Sequence, residues 1–175
     1  MEALIWIFVI ALIGGGIYFF VYIISKSAKT MERQGKNKER LGATMNSTMK
    51  HISGLPIGNG IFTEVYYCPE KIVFKASGQE ITLSKEKISS IDITSGSNIG
   101  NTAAGAVAGK YIVGGTTGAA IGAIAATKIY CIISYTKENE TKFVVLDTGA
   151  SGTFANKMKK DFEQSSERRI SNIEL

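Results

Sequence analysis

The sequence predicts a membrane-anchored α+β protein: an N-terminal transmembrane helix, an antiparallel sheet in a partial barrel, and a C-terminal amphipathic helix. Three observations carry this expectation. Ala3 to Ile24 are 22 consecutive uncharged, mostly apolar residues. Between Ile61 and Leu146, short pieces alternate apolar and polar residues and are divided by turn residues, the period of half-buried strands. Phe154, Met158 and Phe162 then recur at helical spacing.

The first element reads as an uncleaved signal anchor over residues 1–25. At about 1.5 Å per residue, the apolar run matches a hydrocarbon core of roughly 30 Å. Acidic Glu2 precedes it, and no small-residue cleavage site follows Ile24, which argues against a signal peptide. The basic run Lys26, Lys29, Arg33, Lys36, Lys38 and Arg40 comes next. The positive-inside rule therefore expects a single-pass protein at the cell membrane, N-terminus outside and C-terminal domain cytoplasmic.

That run also explains the charge. Residues 25–40 hold six basic and two acidic side chains, so the net +5 of the chain is mostly local, and everything from Leu41 onward sums to +2. So dilute a charge argues against nucleic-acid binding, which needs a concentrated basic face. The six cations are the candidates for contact with anionic lipid, unless they serve only as a topology signal.

Residues 26–57 read as a basic polar linker, with Met31 to Met49 helical in part. Six strands follow: Ile61 to Cys68, Lys71 to Lys75, one through Ile81 and Leu83, one through Ile91 and Ile93, Lys128 to Thr136, and Thr141 to Leu146. Pro69-Glu70, Ser77-Gly78-Gln79 and Lys137 to Glu140 supply turns. The last helix takes Ser151 as its N-cap, with Ala155 beside the Phe154, Met158 and Phe162 stripe. Residues 166–175 form a tail.

A strand meander closed by an amphipathic helix resembles the pleckstrin-homology-like superfold, including GRAM-type and bacterial membrane-associated versions, over residues 58–165. The resemblance implies a binding module. Its phosphoinositide-binding members carry basic residues around the first hairpin. Here that turn is Cys68-Pro69-Glu70-Lys71, where Glu64 and Glu70 oppose Lys71 and Lys75, so inositol-lipid recognition is not implied.

Residues 96–127 form a glycine-rich insert between the fourth and fifth strands, expected as a helical hairpin. Gly105, Gly109, Gly114, Gly118 and Gly122 include three steps of four residues, which places small residues on one helical face. The pattern resembles a glycine zipper and makes these residues candidates for self-association or membrane contact. One pass would split the sheet across the bilayer. A hairpin turning at Gly114-Gly115 has arms of about 11 residues, or roughly 17 Å, too short to cross. A shallow re-entrant hairpin, a self-association surface and a hairpin docked on its own domain all stay open.

Motifs with catalytic spelling lack their context. Phe143 to Ser151 resembles the active-site signature of aspartic proteases, but helix rather than further strands follows Asp147. Ala104 to Tyr111 resembles a Walker A loop, yet Ala104 replaces the first glycine and Tyr111 the magnesium-binding hydroxyl. Cys68 and Cys131 have no CxxC partner and His51 is the only histidine, so no metal-ligand set or nucleophile pair is spelled. No catalytic, cofactor-binding or metal residue is expected.

The sequence is read as a non-catalytic, membrane-tethered binding or scaffold module. Its expected partners are the lipid bilayer, further copies of itself as a homo-oligomer, and an unidentified protein. The alternatives are a membrane-perturbing or pore-forming effector whose glycine zipper inserts, and a membrane immunity or accessory protein.

Overall fold

The computed structural model describes residues 2–96, 128–149 and 151–171, without the side chains of residues 2–14, 17 and 168–171. The chain divides into two units, Met1–Leu41 and Gly42–Leu175.

The first unit is one continuous helix, α1 (Glu2–Leu41). Its polar half is held by local contacts. Lys36 pairs with Glu32 at 2.7 Å, and the Ser25 and Thr30 hydroxyls donate to the Val21 and Lys26 carbonyls. Lys38 and Arg40 lie in the last turn, where cations meet the negative end of the dipole. Gly42 then takes the left-handed conformation (φ 61°) that ends many helices.

Among the described residues, no helix is long and apolar enough to cross a membrane. This overturns the expected transmembrane helix, and with it the single-pass topology and the localisation derived from it.

The second unit is a seven-stranded antiparallel sheet in the order β4-β3-β2-β1-β7-β6-β5. Its strands are β1 (Met45–Ser53), β2 (Phe62–Tyr67), β3 (Lys71–Ala76), β4 (Gln79–Ser84), β5 (Ile88–Ser95), β6 (Ile129–Lys137) and β7 (Glu140–Asp147). A 3₁₀ turn, Lys85–Lys87, joins β4 to β5, and α2 (Thr153–Ser171) follows the sheet. Among the described residues the sheet is open, with β4 and β5 as its edges. Among the described residues it therefore has one strand more than the six expected. The additional strand, β1, lies within residues assigned to the linker, and its polar sequence gives no period-two apolar signal.

One face of this sheet encloses the core. Every strand contributes, through Met49, Val65, Tyr67, Ile72, Phe74, Leu83, Ile91, Cys131, Ile133, Val144 and Leu146 among others. The sheet thus curls around one cluster although its edges do not pair. α2 closes the cluster with Ala155 and Met158 fully buried and Phe154 and Phe162 half-buried against it, the four residues of the expected stripe. Gly152 (φ 52°), not Ser151, precedes the helix, and its carbonyl accepts from the Asn156 amide at 2.9 Å. At the β4–β5 corner, the buried Lys85 ammonium lies 3.5 Å from the centroid of the Tyr67 ring, a cation–π contact that offsets its desolvation.

Candidate binding cleft at the open edge of the sheet

The site begins with the hydrogen-bond phase of β4. The Lys85 amide donates to the Glu70 carbonyl at 2.9 Å, one step beyond the Lys71↔Ser84 pair of the β3–β4 register. Bonded and non-bonded pairs alternate along an antiparallel ladder. Leu83 and Ile81 therefore bond to Ile72 and Phe74 on β3, while Thr82 and Ser84 aim N–H and C=O away from β3. The other side of β3 gives the same phase independently. The Cys68 amide donates to the Lys71 carbonyl at 2.9 Å, so Lys71 and Val73 bond to β2 and leave Ile72 and Phe74 for β4.

The edge so exposed borders a cleft of about 460 Å³. Ile81 to Ser84 line it consecutively. Because successive side chains point to opposite faces, such a run shows the strand presented edge-on. The opposite wall is Tyr135 to Lys137 of β6 with Val144 of β7. β5 starts at Ile88, which pairs with Tyr135, so Thr136 and Lys137 extend past the end of β5. The cleft is thus the gap where β4 diverges from the overhanging end of β6.

The third wall is the β1–β2 loop, through Gly54, Leu55 and Pro56. Buried His51 fixes it. The Leu55 amide donates to Nε2 at 3.2 Å, which leaves the proton on Nδ1 to be donated to the Gly58 carbonyl at 3.1 Å. Main-chain bonds from Gly60 to the His51 carbonyl (2.7 Å) and from His51 to the Ile61 carbonyl (2.8 Å) complete the loop. A neighbouring hollow of about 350 Å³ shares Gly54 and Tyr135 with the cleft.

Leu83 and Val144 give the cleft a buried apolar floor, flanked by half-buried Leu55, Ile81 and Tyr135. Among the described residues, Lys87 and Lys137 are its only charged lining residues. Both are exposed, and Lys137 has Glu138 at 3.7 Å. In the neighbouring hollow, Glu140 is matched by Lys142 at 3.5 Å. The cleft therefore combines apolar surface, outward-facing main-chain groups and positive charge.

The residues that the sequence singled out lie elsewhere. Gly105, Gly109, Gly114, Gly118 and Gly122, and the Walker-like residues 104–111, fall outside the described residues. On α1, Lys26, Lys29, Arg33, Lys36 and Arg40 follow alternating three- and four-residue steps. At about 100° per residue they fall within an arc of roughly 80°, with Lys38 on the opposite side. The hairpin taken as the first is the second, β2–β3, and the β1–β2 loop from Gly54 to Ile61 contains no cation.

Asp147 serves the fold. One oxygen takes the Lys128 ammonium at 2.9 Å and the other accepts the Gly149 amide at 2.9 Å, while the Thr148 hydroxyl donates to the Ile129 carbonyl. The hydrogen bond to Asp147, and then its charge, raise the pKa of Lys128. Cys68 and Cys131 are free, buried thiols. No group of three or more metal-ligating side chains occurs among the described residues. No family model matches this sequence, and no curated protein compared with it is significantly similar.

The cleft was not legible in the sequence because four separated segments line it. The nearest signal was the alternation in β4 itself, where apolar Ile81 and Leu83 are interleaved with small hydroxyl residues that suit an accessible edge.

Proposed function

We propose that the Gly42–Leu175 unit is a non-catalytic binding module whose ligand occupies the cleft between β4 and the end of β6. The observation that carries this reading is the cleft itself, with its apolar floor, its unpaired strand edge and its two cations. Concave, mostly apolar sites with a few convergent polar groups are the usual ligand sites of proteins. The side chains with catalytic spelling support it as well, since Asp147 is held in an ion pair and His51 in a loop clamp. A meander of antiparallel strands followed by a helix supports the pleckstrin-homology-like resemblance, although such a fold does not specify a ligand.

The test is nuclear magnetic resonance of the ¹⁵N-labelled full chain against a panel of fragments and short peptides. Binding is expected to shift the amides of Leu55, Ile81 to Ser84, and Tyr135 to Lys137 together. Hits that cluster away from those residues would overturn the assignment.

A further inference from the structure

We infer that the cleft takes an extended, acidic peptide as an added strand on β4. This rests on the cleft being the binding site and names the ligand class.

Three independent features converge on it. The first is hydrogen bonding. The ladder phase turns the N–H and C=O groups of Thr82 and Ser84 toward the open edge. Alternate residues of an incoming strand would exchange main-chain bonds with them, as in other edge-strand recognition. At about 3.3 Å per residue, Ile81 to Ser84 offer roughly 13 Å of edge, enough for a tetrapeptide.

The second is the character of the edge. Natural sheets blunt free edges with lysine, proline, bulges or very short strands. β4 carries no lysine or proline, its charged residue Glu80 is paired with Lys75 at 3.6 Å, and its register with β3 runs without a shift. From Ile81 to Ser84 it is an uncharged template set beside apolar surface. Every second side chain of a bound strand would meet Leu55, Ile81, Leu83 and Val144, giving preference for an apolar residue at alternate positions.

The third is charge, and it decides the occupant. Lys87 and Lys137 line the cleft, Lys137 with Glu138 at 3.7 Å beside it, and no described lining residue is a carboxylate. A second copy pairing β4 to β4 would bring like charges together. A peptide with Asp or Glu between its apolar residues would pair with both cations, which favours encounter and excludes basic sequences.

The probe is a random octapeptide display library selected on the full chain, followed by fluorescence polarisation with the enriched octapeptide. Selected sequences should alternate apolar residues with Asp or Glu. Lys87→Glu with Lys137→Glu should weaken binding at least tenfold. Thr82→Pro should abolish it, because it removes an outward N–H and leaves the β3 ladder bonded, a substitution that edge strands accept. A melting temperature near that of the parent confirms that Thr82→Pro is folded, and the charge-reversal pair carries the test if it is not. Enrichment of basic or uncharged peptides, binding indifferent to these variants, failure to enrich any peptide, or a β4-dependent dimer in sedimentation would each overturn the inference. A non-acidic peptide that still shifts the Leu83 and Tyr135 amides would leave the cleft as the binding site and overturn only the ligand class. Shifts confined to other residues would overturn both.

Discussion

Cys131 is fully enclosed in the core, and burial first, then the charge of Asp92, push its thiol up to about 12 from an ordinary 9.0. A group that holds its proton more tightly when folded stabilises the fold fully below its unfolded pKa. That contribution is lost as pH rises from about 9 toward about 12, because the unfolded chain ionises first. Cys131→Ala should therefore be less stable than the parent at pH 7, by about 1 kcal/mol for the small cavity left, and should lose less stability between pH 9 and 11. Urea unfolding at both pH values measures this, and parallel losses in the two proteins would contradict it. Gly54 makes a second residue-scale case. A Cβ there would lie 1.8 Å from the Phe143 carbonyl oxygen, at a φ of 97° that side chains rarely adopt. Gly54→Ala should cost about 2–4 kcal/mol and move the loop that walls the cleft, read as a fall in melting temperature together with shifts at the Leu55 amide.

Among the elements, the β6–β7 hairpin shows how local chemistry can be improved. Glu138 (φ 55°) and Asn139 (φ 60°) are both left-handed between the paired residues Lys137 and Glu140, the geometry of a type I′ turn. Glutamate is poorly suited to it. Replacing the pair by Glu138→Asn and Asn139→Gly should stabilise the domain by about 0.5–1 kcal/mol, visible as a raised urea midpoint at unchanged slope. This turn was readable in the sequence, as were the Pro69 and Gly78 turns, because two-residue turns write their demands locally. β1 was not. Its buried positions are filled by Met49 and a hydrogen-bonded His51, so its inward face has no continuous apolar spelling. For α2 the helix was legible but its start was not, since Gly152 precedes it through conformation and a carbonyl rather than through a capping side chain. The cleft has no local spelling for a related reason. Edge status is a property of strand order, and that order depends on β1, whose sequence does not announce a strand.

At the scale of the whole sheet, the open order β4 to β5 means that curvature is not locked by hydrogen bonds from one edge to the other. It is held by the shared apolar cluster and by α2, which packs against β5 and β1. Truncating the largest fully buried α2 side chain, Met158→Ala, should cost about 2–5 kcal/mol, the usual range for a large-to-small change in a core. The same architecture predicts a gradient of local stability. β1 and β7 are bonded on both sides at the centre of the sheet, whereas β4 has one partner and borders the cleft. Local openings follow the elements with fewest supports. Native-state hydrogen exchange should show β1 and β7 amides opening only with global unfolding. Bonded β4 amides at Ile81 and Leu83 should open at lower free energy. A peptide bound as an added strand would raise protection at Thr82 and Ser84 in particular, since only those amides gain a new acceptor. Uniform protection across the domain on binding would instead place the ligand away from the edge, and equal protection of β4 and β7 in the free protein would show that the edge is not the weak side of the sheet.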